Sequence, residues 1–436
     1  MSERRPVVAF FTLGCKVNQS DSGGMEQLFK QAGYDQVSFD RIADVYVINT
    51  CIVTDVARRK SRRVIRGAIR RNPQALVVVV GCYPQTAADE VKKIEGVGLV
   101  IGGGQRGEIV RLVEQARQSH RTNETEISAW PDTFEELPPG NLKNRTRAYL
   151  KIQDGCNQYC SYCIIPYARG ASRSRPLDSV RMEAVRLTGA GFKEIVLIGI
   201  HLGAYGLDQD TGAKLSDAVR AVLSADGLER LRLGSLESPE ADDDLLDIMA
   251  DDRRLCRHLH LPLQSGCDEI LLAMRRPYRT ADFARQIENI RVRIPDISIT
   301  TDIIAGFPGE TQEMFARTCA FVENMAFSNT HIFPFSPRRG TLAANLPEQV
   351  SRAETARRVK LLESIDRNAR GKFLAGLTGQ TRTVLFEQAV GDLMRGLTDD
   401  YARVYSPLDR TLLGKISRVR IIGGYGEDAL SGEIYP

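Results

Sequence analysis

The chain has 436 residues, 42% of them hydrophobic and 26% charged, with a formal net charge of +4. That length exceeds one ordinary domain of roughly 150 residues, and the composition is that of a globular protein. No run approaches the ~18–20 uncharged apolar residues that cross a bilayer, and the N-terminus has no secretory pattern, so we expect a cytoplasmic protein without a membrane helix.

From Pro6 to about Gln118, short apolar strands alternate with amphipathic helices: strands over Val7–Leu13, Val45–Asn49, Ala75–Val80 and Leu99–Ile101, and helices over Asp21–Ala32, Asp55–Arg71, Thr86–Ile94 and Glu108–Arg117. This alternation predicts right-handed βαβ units and a parallel sheet covered on both faces. Residues 1–118 are therefore expected to form an N-terminal α/β domain. Periodicity disappears over 119–146, read as a linker. A second βα series fills 147–371, with strands over Tyr149–Gln153, Glu194–Gly199, Arg230–Ser235, His258–Leu263, Ile297–Ile304 and His331–Phe335. Six such units predict a partial (β/α)6 TIM-like barrel, whose chemistry gathers at the carboxyl ends of its strands. Residues 372–436 read as a small all-β barrel, with strands over Thr381–Phe386, Tyr401–Val404 and Ile416–Ile422. The fold class is thus α/β with a terminal β unit.

Nine cysteines, an odd number in a chain able to bury its own core, argue against a disulfide framework. Three stand at CxxxCxxC spacing, Cys156-Asn-Gln-Tyr-Cys160-Ser-Tyr-Cys163, directly after the first barrel strand. A loop of that spacing can hold three corners of a cubane iron–sulfur cluster. The fourth iron then lacks a protein ligand, the open position that a catalytic metal requires. Zinc is the competing occupant, but a structural zinc wants four protein ligands, and no second Cys or His pair follows at a matching interval. Cys15, Cys51 and Cys82 are far apart in sequence, yet each falls at or just past the carboxyl end of an expected strand. Those ends share one edge of a parallel sheet, the edge where ligands bind, so three thiols can meet there. Coincidence is the alternative. Cys319 reads as core, and Cys256 and Cys267 as buried residues flanking the fourth barrel strand. His258 and His260 share one face of that strand by alternation; packing explains them as well as catalysis does.

The run from Cys156 to Cys163 resembles the radical S-adenosylmethionine superfamily. The longer stretches Lys151-Ile-Gln-Asp-Gly-Cys156, Cys163-Ile-Ile-Pro-Tyr-Ala-Arg-Gly170 and Thr301-Asp-Ile-Ile-Ala-Gly-Phe-Pro-Gly-Glu310 are similar to its methylthiotransferase family. The resemblance extends to the terminal segment, which is similar to a TRAM domain. It implies two 4Fe-4S clusters, the first on Cys156, Cys160 and Cys163, where S-adenosylmethionine chelates the open iron. The second, auxiliary cluster would sit on Cys15, Cys51 and Cys82 and serve in sulfur delivery. Tyr162 would pack on the cofactor's adenine, and reductive cleavage implies a small-protein electron donor. Glu237, Gly306 and Glu310 are further candidates for cofactor contact, with turn geometry and capping as their plain alternative. Gly102, Gly103 and Gly104 read more simply as a turn than as a phosphate cradle.

Thr12-Leu-Gly-Cys-Lys-Val-Asn-Gln19 and Asn49-Thr-Cys-Ile-Val-Thr54 look most like the branch that modifies threonylcarbamoyladenosine in tRNA. Other branches act on isopentenyladenosine in tRNA or on an aspartate of a ribosomal protein. A tRNA partner also suits the charge pattern. Eight cations, Arg58, Arg59, Lys60, Arg62, Arg63, Arg66, Arg70 and Arg71, crowd 14 residues of one helix, and phosphates would relieve their repulsion. Lys143, Arg145, Arg147, Lys151, Arg169, Arg173 and Arg175 make the cluster-flanking segment positive. The terminal segment from Lys372 has eight Lys/Arg against eight Asp/Glu, so RNA binding there would need a local patch or stacking on Tyr401 and Tyr405. The rival of a different class is a non-catalytic iron–sulfur protein that docks RNA.

Overall fold

The computed structural model describes residues 4–119, 124–140 and 146–435; Lys143 and Arg145 lie outside them. The chain divides into two compact units, Met1–Lys143 with Lys151–Arg175 and Ser336–Ala344, and Asn144–Leu150 with Pro176–Phe335 and Asn345–Pro436.

The first unit is built on six parallel strands, β1 (Val7–Thr12), β2 (Asp35–Val37), β3 (Val45–Thr50), β4 (Leu76–Gly81), β5 (Leu99–Ile101) and β6 (Glu124–Glu126), in the order β2-β1-β3-β4-β5-β6. The strands bury both faces: Tyr46, Ile48, Val77 and Val79 enter one apolar cluster, and Val45, Val47, Val78 and Val80 the other. Alternate residues feeding two cores is the signature of a sheet sandwiched by helices. The helices are α1 (Lys16–Gln31), α2 (Asp55–Arg71), α3 (Cys82–Lys92), α4 (Ile109–Ser119) and α5 (Ile165–Arg169). Helices α1 and α3 begin several residues earlier than the pattern predicts. Cys15 is the N-cap of α1 and Cys82 opens α3, so each helix begins at a cysteine, ahead of its apolar periodicity. The described part of the expected linker, 124–140, supplies β6 and otherwise little regular structure, and it packs on this unit. Side-chain atoms of Trp130 lie 2.3 Å from where a Cβ on Gly103 would fall and 2.7 Å from where one on Gly170 would. That ring fills the space above Gly103, which leaves no phosphate cradle at the three glycines.

The second unit carries the barrel strands β7 (Arg147–Lys151, whose last residue belongs to the first unit), β8 (Glu194–Ile198), β9 (Arg230–Leu233), β10 (His258–His260), β11 (Ser298–Ala305) and β12 (Asn329–Pro334). They form two three-stranded parallel sheets, joined by bridges from Leu231 to Leu255 and from Ser235 to His260. After a helix over Arg352–Leu377, five strands close a barrel in the order β13-β14-β15-β17-β16: β13 (Thr381–Val390), β14 (Leu393–Thr398), β15 (Arg403–Pro407), β16 (Ile416–Tyr425) and β17 (Ala429–Ile434). The sequence pattern missed β14 and β17, whose Gly396 and Gly432 interrupt the apolar alternation. Both glycines are needed, since a Cβ would meet the Leu385 carbonyl oxygen at 2.3 Å and the Val419 side chain at 2.4 Å.

This closed barrel seals the amino-terminal mouth of the partial barrel. Arg230 donates to the Leu397 and Thr383 carbonyls, and Arg232 to those of Thr398 and Asp399, at 2.9–3.1 Å. Tyr401, at φ +74°, stacks on His258 with centroids 4.7 Å apart, beneath the guanidinium of Arg232 at 4.5 Å. Its ring is therefore already covered and offers no face for an RNA base, contrary to expectation. Tyr405 instead packs against Tyr425 at 4.5 Å. Beneath the plug, Glu194 accepts from Arg230 at 3.2 Å and Arg232 at 2.9 Å, all three buried. Glu194→Gln would leave two buried guanidiniums without their counter-ion, a loss of about 3–5 kcal/mol. Urea unfolding followed by far-UV circular dichroism should show a lower midpoint; an unchanged midpoint would mean the carbonyls alone support the arginines.

Candidate active site

All six cysteines of interest lie in the first unit. Strands β1, β3 and β4 are adjacent, and Cys15, Cys51 and Cys82 follow their carboxyl ends. The carbonyl of Leu13 and the carbonyl of Thr50 are both held by the Asn18 amide, at 2.8 and 3.1 Å, which ties the first two loops together. Asn49 reaches back to the Asn18 carbonyl and the Ser22 hydroxyl, each at 3.0 Å. From α2, Ser61 donates to the Cys51 carbonyl at 3.1 Å.

Glycines turn three of the six thiols out of the chain direction. Gly14, Gly81 and Gly155 directly precede Cys15, Cys82 and Cys156 and take φ values of +102°, +102° and +78°. A Cβ on Gly14 would lie 2.9 Å from Cys51 Cβ, one on Gly81 2.4 Å from Asn49 Oδ1, and one on Gly155 1.8 Å from the Ala171 oxygen. These are positions where only glycine serves.

The environment of the first triad suits a cluster. Burial pushes the Cys82 thiol up to about 12 and raises that of Cys51, while the guanidinium of Arg169 opposes both. A charge on Cys15 acts in the same direction as burial on both thiols. Buried neutral thiols beside one cation would release their protons to a metal cluster and gain a counter-charge already in position. Helices α1 and α3 also start at this edge, and the positive end of each helix dipole favours negative charge there. The donor set fits an iron–sulfur cluster.

The second triad lies on the loop after a short strand at Gln153–Asp154. The Cys156 N–H donates to the Gly170 carbonyl at 3.0 Å and Cys163 N–H to the Cys160 carbonyl at 2.9 Å. Gln158 N–H approaches Cys156 Sγ at 3.4 Å. Cys160 is buried, while Cys156 and Cys163 are half-buried, as is Tyr162. The Ser161 carbonyl is held at 2.8 Å by Ala343 N–H, from the segment Ser336–Ala344. Three thiols on one braced loop, with two half-exposed, fit a cluster that must admit a further ligand.

Arg169 joins the two triads. It donates to Asp154 at 2.8 and 3.0 Å, to Asp21 at 3.0 Å, and to Asn18. Lys151 bridges the same carboxylates at 2.7 Å each, and Arg106 contacts both along with Glu135. Three cations thus face three carboxylates in the interior. Burial pushes Asp21 and Asp154 up, but the cations outweigh it and hold both carboxyls below their usual range.

Lys151, Arg169 and Arg173 were expected to face RNA phosphates. All are buried instead, the first two neutralised by Asp21 and Asp154, the third stacked on Trp130 at 4.8 Å. Arg175 pairs with Glu136 at 2.7 Å, and in the second unit Arg147 pairs with Glu387 at 2.8 Å. Helix α2 keeps Arg59, Lys60, Arg63, Arg66 and Arg70 exposed. Arg58 pairs with Asp55 and Glu90, and Arg71 lies over Phe39.

In the second unit Glu237 is engaged by Arg276, and burial raises its carboxyl. Glu310 accepts from Gly306 N–H at 2.9 Å and from Arg358 at 2.7 Å, so its Oε2 locks the turn after β11, while its Oε1 is buried without a partner. Gly306 takes φ +77°, and a Cβ there would meet Thr355 Oγ1 at 2.4 Å. These contacts give Gly306 and Glu310 a turn-forming role. No helix among the described residues is long and apolar enough to cross a membrane.

A cysteine-bearing α/β unit and a partial parallel barrel define a radical S-adenosylmethionine enzyme. Residues 150–322 match the model of the Radical SAM superfamily, and residues 7–102 that of the Uncharacterized protein family UPF0004. The threonylcarbamoyladenosine tRNA methylthiotransferase MtaB of Bacillus subtilis is 39% identical over 427 residues, covering 96% of this chain and 94% of that protein. Its namesake from Aquifex aeolicus is 36% identical, with 95% and 100% covered. The tRNA-2-methylthio-N(6)-dimethylallyladenosine synthase of Moorella thermoacetica is 32% identical, with 97% of each covered. Among solved structures, the radical S-adenosylmethionine methyltransferase TsrM from Kitasatospora setae shares the fold, at TM-score 0.59 and 15% identity over 78% of this chain and 77% of that one. The chain belongs to the radical S-adenosylmethionine methylthiotransferase family. Its cofactors are S-adenosylmethionine and 4Fe-4S clusters.

Two outcomes test the site. Gly81→Ala forces a left-handed alanine against Asn49, a strain of about 1–3 kcal/mol, and should cost the protein the iron of one cluster in elemental analysis while the other remains. Because Asp21 and Asp154 have depressed folded values, their stabilisation is complete above the ordinary carboxylate value near ~3.9 and is lost as pH falls through the folded values. Asp154→Asn should flatten that acid limb of a stability–pH curve; a limb of unchanged steepness would assign it to other carboxylates.

Proposed function

We propose that this chain methylthiolates N6-threonylcarbamoyladenosine beside the anticodon of tRNA, giving the 2-methylthio derivative. The observation that carries this reading is the pair of cysteine triads in one compact unit, joined through Arg169, in a chain with full-length relatives of that name. Cys156, Cys160 and Cys163 would hold the cluster that binds S-adenosylmethionine, with Tyr162 beside the adenine, and Cys15, Cys51 and Cys82 the auxiliary cluster. Together these groups supply a 5′-deoxyadenosyl radical and the sulfur for a C–H bond that acids and bases leave untouched.

The residues themselves orient and insulate. Gly14, Gly81 and Gly155 aim thiols, and the buried charges around Arg169 fix the spacing of the two loops. The exposed cations of α2 supply phosphate contacts that hold the RNA without reading it. The closed terminal barrel is TRAM-like, with Tyr405 and Tyr425 as its candidate stacking surface. A small protein donates the electrons, and the setting is cytoplasmic.

Anaerobic reconstitution, incubation with tRNA, S-adenosylmethionine and reductant, then nucleoside mass analysis test the reading. A methylthio adduct on threonylcarbamoyladenosine is expected, and its absence from that nucleoside, or its appearance on isopentenyladenosine alone, overturns the assignment. Cys15→Ala/Cys51→Ala/Cys82→Ala should still release 5′-deoxyadenosine but form no adduct, whereas Cys156→Ala/Cys160→Ala/Cys163→Ala should do neither.

A further inference from the structure

Three neighbouring strands of the partial barrel, β10, β11 and β12, bring His260, Asp302 and His331 onto one face. The pairing register sets His260 opposite Thr300 and Asp302 opposite His331. His260 Nδ1 meets the Thr300 hydroxyl at 2.9 Å, and its Nε2 lies 3.3 Å from Asp302 Oδ1. His331 Nδ1 lies 3.1 Å from the same oxygen. Burial raises the Asp302 carboxyl, but the two imidazoles prevail and hold it at about 2. An ionised carboxylate facing Nδ1 selects the tautomer with the proton on that nitrogen, which leaves Nε2 as the working atom of His331.

The other polar side chains of this face are committed. His258 bonds Thr300 and stacks on Tyr401, Ser298 bonds Ser328 at 2.7 Å, and Asn329 accepts from Arg370 at 2.9 Å. His331 has 54% of its side chain exposed. A half-open, oriented imidazole among spent neighbours, on the barrel that gathers the chemistry, is a recognition element.

We infer that His331, oriented by Asp302, reads the polar arm of the substrate base. This rests on the methylthiotransferase function proposed above. The threonylcarbamoyl arm ends in a hydroxyl and a carboxylate. Nε2 accepts from the hydroxyl when neutral and donates to the carboxylate when protonated. An isopentenyl arm offers neither partner, and seating it would leave Nε2 of His331 unpaired. A site built to hydrogen-bond its substrate rejects analogues lacking the group far more strongly than an apolar pocket rejects a wrong shape. The same three ligand atoms, all within 4.8 Å of one another, also match a two-histidine, one-carboxylate cation site, and the test separates the two.

Full-length, anaerobically reconstituted enzyme is titrated with anticodon stem-loops identical except for threonylcarbamoyladenosine, isopentenyladenosine or adenosine at the target position. Wild type should bind the threonylcarbamoyl loop more tightly than the plain one. His331→Leu should shrink that advantage at least tenfold with affinity for the plain loop unchanged, and His331→Gln, which keeps a donor and an acceptor, should restore part of it. Cluster iron content and melting temperature confirm that the variants fold. An unchanged ratio in His331→Leu overturns the inference. So does one equivalent of a divalent metal other than cluster iron in wild type that is lost from His331→Leu, since the triad would then be a cation site. Wild-type product formation on the same loops reports separately on the proposed function: no adduct with a ratio that still depends on His331 sinks the activity and keeps the recognition.

Discussion

The contact between Arg169 and its two carboxylates is the constraint on which the cysteine-bearing unit depends. Asp154 lies two residues before Cys156, and Asp21 six after Cys15, so one guanidinium fixes two loops that are far apart in the chain. A buried charge of this kind is costly unless every partner is present. Lys151 and Arg106 complete the set against Asp21, Asp154 and Glu135, so these six charges cancel with all in place. Displacing either loop would unbalance it. The network therefore acts less as a source of stability than as a gauge of position, which a reaction between groups held on two loops demands.

The barrel answers a different demand. A full eight-stranded barrel packs its interior with branched apolar side chains. Here the six strands line theirs with Arg147, Glu194, Arg232, His258, Thr300 and Asp302, and the cost of that polarity is met by pairing at every level. The lower layer is satisfied by carbonyls and by the Tyr401 ring from the terminal barrel. That leaves the upper layer, with His260 and His331, as the polar surface still able to receive a ligand. The terminal barrel thus has a structural task at the closed end of the catalytic barrel in addition to any dealing with RNA.

Much of this was legible from residues alone, and for a physical reason: metal-ligand spacing and strand-end placement are local properties. CxxxCxxC is read from eight residues, and the edge shared by Cys15, Cys51 and Cys82 follows from strand order in any parallel sheet. What was misread depends on partners far away in sequence. Nothing near Lys151 or Arg169 announces that Asp21, about 130–150 positions earlier, neutralises them, so both looked like phosphate ligands. Tyr401 looked like a stacking platform because its stacking partner, His258, comes from another domain's strand. The Gly-Cys pairs were a missed local signal. Gly14-Cys15, Gly81-Cys82 and Gly155-Cys156 repeat a dipeptide whose left-handed glycine aims the thiol, and that repetition was visible in the sequence, though Gly266-Cys267 repeats the dipeptide without the left-handed glycine.

The division of labour within RNA recognition follows from the same accounting. On the proposed reading the cations left exposed on α2 neutralise phosphates, and phosphate contacts fix register and affinity without distinguishing one nucleoside from another. Selecting a hypermodified adenosine therefore has to happen where the base itself is held, by groups that match what its arm offers. An apolar arm calls for an apolar slot. An arm ending in hydroxyl and carboxylate calls for oriented hydrogen-bonding groups, and a polar upper layer with one half-open, uncommitted imidazole is such a site. The polarity of that upper layer then matches what the arm of the proposed substrate offers.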